Sequence, residues 1–256
     1  MSLRSLALRL RARDWTAVTI EVLIVIVGVF IGLQVSDWNE TRKENERGRE
    51  YLQRLHDELL QDAGSLTQIS KFWSQVQGYG ESAMAHAEDG ALREGSAWKT
   101  LLAYHHASQV WPYRKPDVTF QEILSTGNLL LIRDPALRER IARHYSAGGG
   151  SQVSEVLGLI PRYREHVRGL VPWKIQRYIW TECYSTEDAE QLLRDCESPV
   201  SEQEALAVLQ RLRDEPSLIA ELRFWMITVH SGMILMRDVQ QDARSLADEI
   251  SAVSDR

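Results

Sequence analysis

The segment EVLIVIVGVFIGLQVSDWNE, from Glu21 to Glu40, holds the only strongly apolar run in the chain, uncharged from Val22 to Leu33. Such a run lies in a membrane, in the centre of a core, or in a leader that is removed. From Thr16 to Val35 a helix rises about 30 Å at 1.5 Å per residue, which matches the hydrocarbon thickness of a bilayer. Trp15 and Trp38 flank the run where interfacial indoles sit, with rings among headgroups and N–H groups wet. The following GLQVSDW offers no A-x-A-like cleavage site. Ahead of the run, Arg4, Arg9, Arg11 and Arg13 come without an acid until Asp14, the order of an insertion signal. The expectation is a basic segment over 1–14 and a retained anchor over 15–38 that contacts the lipid bilayer.

Inside the run, Glu21, Gly28 and Gly32 fall within about 40° of one another at 100° per residue, so they share one helix face. Gly28 and Gly32 form G-x-x-x-G, which lets a second helix backbone approach, and a glutamate one turn inside the membrane faces a partner or water. The expectation is association through this face, either as a homo-oligomer or with another envelope protein. The plain rival is that Glu21 snorkels and the glycines are incidental.

After the run, NETRKENERGREYLQRLHDELLQDAG reads as the same helix continuing as a charged stalk over 39–80. Leu52, Leu55, Leu59, Leu66, Ile69, Trp73 and Val76 keep three- and four-residue spacing, interrupted near Asp62 and Ala63, with Glu88, Asp89 and Gly90 as the latest end. At the far end, Leu218, Leu222, Trp225, Val229, Met233, Met236, Val239, Ala243, Leu246, Ile250 and Val253 form a longer seam that starts beside Pro216. Two long amphipathic helices predict an antiparallel pair with shorter helices around it. Asp117 is placed to cap a helix that Gly127 ends, and Asp134-Pro135 to open the next, to about Tyr145. SAGGGSQ reads as a turn, and Cys183 to Pro199 as an acidic loop with at most a short helix; no strand run is visible. The fold class expected is all-α: a single N-terminal transmembrane helix, a stalk, and a helical-bundle body over 81–256 completed by a long C-terminal helix.

EVLIVIVGVFIGLQVSDWNETR, through Glu21, Gly28, Ile31, Leu33, Gln34, Trp38, Asn39, Glu40 and Arg42, resembles the start of the bacterial domain of unknown function 6090 family, whose members read EI-x-LVVIGI-x-IALQ-x-NNWNE-x-R. TFQEILSTGNLLLIRDPALRERIARHY, Thr119 to Tyr145, is similar to that family's S-G-N-L-x-L-I region through Ser125, Gly127, Asn128, Leu129 and Ile132. The chain departs from the pattern at Gly32, where alanine is frequent, at Asp37, where asparagine is frequent, and by Thr126 before Gly127. The resemblance implies a single-pass bacterial membrane protein with a helical body, and implies no activity.

Basic residues flank the run on both sides, Arg42, Lys43, Arg47, Arg49 and Arg54 following it, so the positive-inside count decides little. Cys183 and Cys196 are the only cysteines, and a disulfide closing the loop between them stabilises by about 3 kcal/mol in the chain-entropy model. Disulfides persist in an oxidising periplasm, and two unrelated cytosolic thiols are the alternative. The expected location is a bacterial inner membrane with the body in the periplasm.

The net charge of -6, without a concentrated basic face, argues against nucleic acid. The chain has no G-x-G-x-x-G, Walker P-loop, G-x-S-x-G, H-E-x-x-H or C-x-x-C, and no histidine follows a glutamate by three residues. No catalytic residue, metal ligand or cofactor site is therefore assigned. His56, Asp57, Glu58 and Asp62 read as a solvated helix face, and His105-His106 as a helix edge. HHASQVWPYRKPDVTF crowds Trp111, Tyr113, Arg114 and Lys115 around two prolines, a composition suited to a ligand or partner contact, against the plainer reading in which the aromatics cover the core and the cations stay wet. Tyr163, Trp173, Tyr178 and Trp180, interleaved with Arg162, Arg164, Arg168, Lys174 and Arg177, suit an anionic partner or lipid headgroups, against a solvated basic face. The resulting expectation is a membrane-anchored helical interaction or sensor-like accessory protein; the alternative is an enzyme with an unrecognised histidine and carboxylate site in the body.

Overall fold

The computed structural model describes residues 15–146, 149–187 and 190–254; the basic segment 1–14 and the Trp15 side chain lie outside the described residues. About 81% of the chain is helical, so the fold is all-α. The chain divides into two compact units between Tyr51 and Leu52. Helix α1, Trp15–Asp89, contributes to both and ends before Gly90, whose φ of 75° suits a residue without a Cβ.

In the first unit, the large apolar side chains from Ile20 to Val35 are each more than half exposed. In the second, Leu52, Leu55, Leu59, Leu66, Ile69, Trp73 and Val76 of α1 are all buried. The part of α1 expected as stalk thus enters the second unit at Leu52, because the seam that begins there is continuous with the core.

Among the described residues eight further α-helices follow: α2 (Ala97–His106), α3 (Val118–Ser125), α4 (Pro135–Ser146), α5 (Gly149–Leu157), α6 (Arg162–Leu170), α7 (Trp173–Glu182), α8 (Glu202–Arg213) and α9 (Pro216–Ser254). The core-facing seam of α9 is buried at Leu218, Leu222, Trp225, Val229, Met236, Val239, Ala243, Leu246 and Ile250. It runs antiparallel to α1: Gln240 reaches the Ala63 carbonyl, Ser70 meets Met236, the Trp73 and Trp225 rings lie 5.9 Å apart, and Arg223 meets Glu88. Gly232 lets α5 approach, since a Cβ there would lie 2.6 Å from Leu157 Cγ.

Local starts follow capping chemistry, with one substitution. Ser201 and Glu204 form a capping box on α8, and Asp134 accepts from the Ala136 and Leu137 N–H groups at 2.8 and 3.1 Å at the start of α4. Asp117 precedes α3 but makes no capping bond; Glu58 of α1 instead accepts from the Thr119 N–H at 3.0 Å. The SAGGGSQ text is not wholly a turn, for the backbone is helical again from Gly149.

The segment expected as an acidic loop forms an antiparallel hairpin, β1 (Tyr184–Glu187) paired with β2 (Glu190–Leu193), Tyr184 opposite Leu193. Strands of four residues are too short to show alternation. Their support is tertiary: the Gln75 side-chain amide bonds both the N–H and the carbonyl of Leu193, and a disulfide joins Cys183 to Cys196 with Cα atoms 5.2 Å apart.

Candidate functional site

Glu21, Gly28 and Gly32 are exposed, and a Cβ built on either glycine meets nothing within 4 Å. Ile20, Ile24, Val27, Gly28 and Ile31 line a shallow apolar groove on the same stretch. Trp38 is 66% exposed, with the Arg42 guanidinium 5.9 Å from its ring. Among the described residues, two helical stretches are long and apolar enough to cross a membrane: residues 19–89, whose most apolar window has mean hydropathy 2.2 and is 0% buried, and residues 216–253, at 1.3 and 28% buried. The contrast in burial reflects the core seam of α9, which the first window lacks.

Apart from Arg114, the residues singled out around Pro112 and Pro116 turn inward. Trp111 is half-buried edge-on to Phe72, at 5.5 Å, and Tyr113 is 2% exposed. Only Arg114 is wet. Tyr113 Oη donates to both carboxylate oxygens of Asp62, at 2.8 and 2.9 Å. Lys115 donates to the His144 carbonyl and lies 4.9 Å from the Tyr145 ring centroid. The Tyr145 hydroxyl donates to Glu58 at 3.0 Å. On α9, Asp242 accepts from Arg140 Nη2 at 2.5 Å and from His144 Nδ1 at 2.6 Å.

Burial dominates the electrostatics of this cluster. It pushes the Asp62 carboxyl up to about 6 against the lowering effects of the Tyr113 bond and Lys115, and it brings the Lys115 amine down to about 8. Burial likewise lowers His144, although its bond to Asp242 pulls the other way. The group joins α1, α4, α9 and the segment before α3, and its acids and cations answer one another. Its chemistry is that of a cross-brace.

The histidines are dispersed. His56 meets its neighbour Asp57 at 2.9 Å. His105 is fully buried with neither ring nitrogen bonded, and burial drives it well below its ordinary value. His106 bonds the Arg194 carbonyl at 3.2 Å and is lowered to about 4. Among the described residues no group of three or more His, Cys, Asp or Glu side chains could hold a metal ion. Cys183 is fully buried, and the Trp98 indole donates to the Cys196 carbonyl at 2.8 Å beside the hairpin.

A feature not singled out in the sequence is an open apolar cleft of about 500 Å³ between α9 and the turn after α5. Leu159 and Ile160 are 69% and 66% exposed, and Phe224 is 73% exposed. Trp225 and Tyr163 form its floor, and the His166–Glu221 pair, 3.0 Å apart, lies at its edge. The signal lay in Phe224, Ile227 and Ile234, a second apolar stripe on α9 outside its core seam, and in Leu159-Ile160 ahead of Pro161. Comparison with family models, with curated proteins and with solved structures finds no match to this chain.

Proposed function

We propose that the chain is a single-pass, membrane-anchored helical interaction or sensor-like accessory protein of the bacterial envelope, with its bundle body in the periplasm. The observation that carries the reading is the run from Ile20 to Val35, whose large apolar side chains are all more than half exposed in a helix that continues to Asp89. Surface of that extent is stable in lipid and not in water. The open Gly28 and Gly32 face supports association within the membrane. The cleft at Leu159, Ile160 and Phe224 supplies the body with an apolar face suited to a protein partner. The disulfide between Cys183 and Cys196 supports an oxidising compartment. The resemblance to the domain of unknown function 6090 family points the same way.

Intact cells treated with a membrane-impermeant thiol reagent test the reading. Labelling of Cys183 and Cys196 that requires reduction but no permeabilisation is the expected result. Labelling that requires permeabilisation but no reduction would put the body in the cytoplasm and overturn the topology. Crosslinking in native membranes tests the association: Gly28→Ile should weaken it, and unchanged crosslinks would remove the glycine face from the proposal.

A further inference from the structure

Arg164 and Arg168, one turn apart on α6, point under the surface toward the end of α2. Arg164 Nη1 donates to the Ser108 carbonyl at 2.7 Å and to Gln109 Oε1 at 3.2 Å. Arg168 Nη2 donates to the same Gln109 oxygen at 3.0 Å, and its Nε to Ser108 Oγ at 3.3 Å. Two guanidinium groups therefore crowd one neutral acceptor. Neither has a carboxylate within ion-pair distance among the described residues, and Arg164 Nε and Nη2 and Arg168 Nη1 make no hydrogen bond there.

The surroundings add donors. Gln109 is 2% exposed, and its Nε2 has no partner because its oxygen is committed to the arginines. His105, also buried and unbonded, lies in the field of both cations. Burial and the neighbouring Arg164 charge weaken the hold of Arg168 on its proton, to about 9. On the outer side, the Arg168 guanidinium lies 5.5 Å from the ring of Trp180, which is 40% exposed and packs edge-on to Tyr184 at 4.7 Å.

Adjacent desolvated cations repel unless an anion lies between them, and a planar guanidinium fork suits the two oxygens of a carboxylate or phosphate. We propose that Arg164, Arg168 and the Gln109 amide form a binding site for an oxyanion, a carboxylate or phosphate carried by a small ligand, with Trp180 as its outer wall. The site is independent of how the chain meets the membrane. It would give the body a chemical input as well as a contact surface.

Thermal unfolding of the full-length protein in detergent tests the site, with inorganic phosphate and succinate each titrated against chloride at matched ionic strength. The expected result is a saturable rise in Tm for at least one of the two anions, and which one responds separates phosphate from carboxylate recognition. Arg164→Gln and Arg168→Gln should abolish the rise. Arg168→Lys keeps the charge, loses the fork, and should weaken the apparent affinity at least tenfold, which decides the matter where a glutamine variant fails to fold. An adventitious ion effect only, seen as an equal response in wild type and all variants, would overturn the proposal, as would no difference of either anion from chloride.

Discussion

Around Asp62, two cations and four carboxylates answer one another: Arg140 bonds Asp242, and Lys115 lies in the field of Asp62, Asp242, Asp117 and Glu58. Around Gln109, two arginines share a single amide oxygen, and two buried side chains hold nitrogens with nothing to bond. Both clusters are partly buried and both tie helices together. A charge network that closes on itself is a structural brace, whereas one left open in a single sign is costly to the free protein and persists where an external counter-charge completes it.

The sharpest way to break this comparison is through pH. The Asp62 carboxyl sits at about 6 in the folded protein against 3.8 for its ordinary value. A raised acid means that the folded state holds the proton more tightly, so its stabilising effect is full below about pH 4 and is lost as pH climbs through 6. Asp62→Asn abolishes that loss while keeping an acceptor for Tyr113. Relative to wild type, the variant should gain about 2.5 kcal/mol between pH 4 and pH 8, by urea unfolding in detergent. A parallel pH profile for the two proteins would show that Asp62 is not the buried acid of the brace.

Next in size is Tyr113→Phe. It removes the hydroxyl that bonds both Asp62 oxygens and leaves a buried carboxylate with only the more distant Lys115 charge. Loss of about 2 kcal/mol is expected at pH 8, and less at pH 5, where the carboxyl is largely protonated. An unchanged denaturation midpoint would mean that water or another donor already serves Asp62.

The opposite sign is expected in the open cluster. His105→Leu replaces a sealed imidazole with two unbonded nitrogens by an apolar side chain of similar volume, and should stabilise the body by about 1 kcal/mol. Destabilisation would show that the imidazole has a partner, such as an ordered water, and would weaken the contrast between the clusters.

What the sequence disclosed of these regions follows from the range of each signal. The seams of α1 and α9 are periodic and local, so Leu55, Leu59, Trp225 and Met236 declare their burial from spacing alone. Asp62 falls in the same seam and reads as an interruption, because its partner Tyr113 lies 51 residues away. The two prolines made Trp111 to Lys115 conspicuous, yet composition could not say that Tyr113 and Lys115 turn inward. Of the five cations in the basic aromatic segment, Arg164 and Arg168 share one helix face four residues apart, a spacing visible in the sequence. Their lack of acids appears only when α2, α6 and α7 are assembled. The hairpin is illegible for a related reason: a glutamine on α1 and a disulfide hold strands too short to pattern themselves.

The smallest effect tests the open cluster without any ligand. Arg168→Met leaves no acceptor stranded, because Gln109 Oε1 keeps Arg164 and Ser108 Oγ still donates to the His105 carbonyl at 2.6 Å. The variant loses the Trp180 contact but also removes one of two repelling, partly desolvated cations. These terms oppose one another, so stability at physiological ionic strength should change by no more than about 0.5 kcal/mol. Lowering the salt strengthens the repulsion felt by wild type alone, so the balance should tilt toward the variant as the Debye length grows from about 8 to about 30 Å. Urea midpoints at the two salt concentrations measure that tilt. If wild type instead gains on the variant at low salt, Arg168 has an acid partner and the two clusters are braces of the same kind.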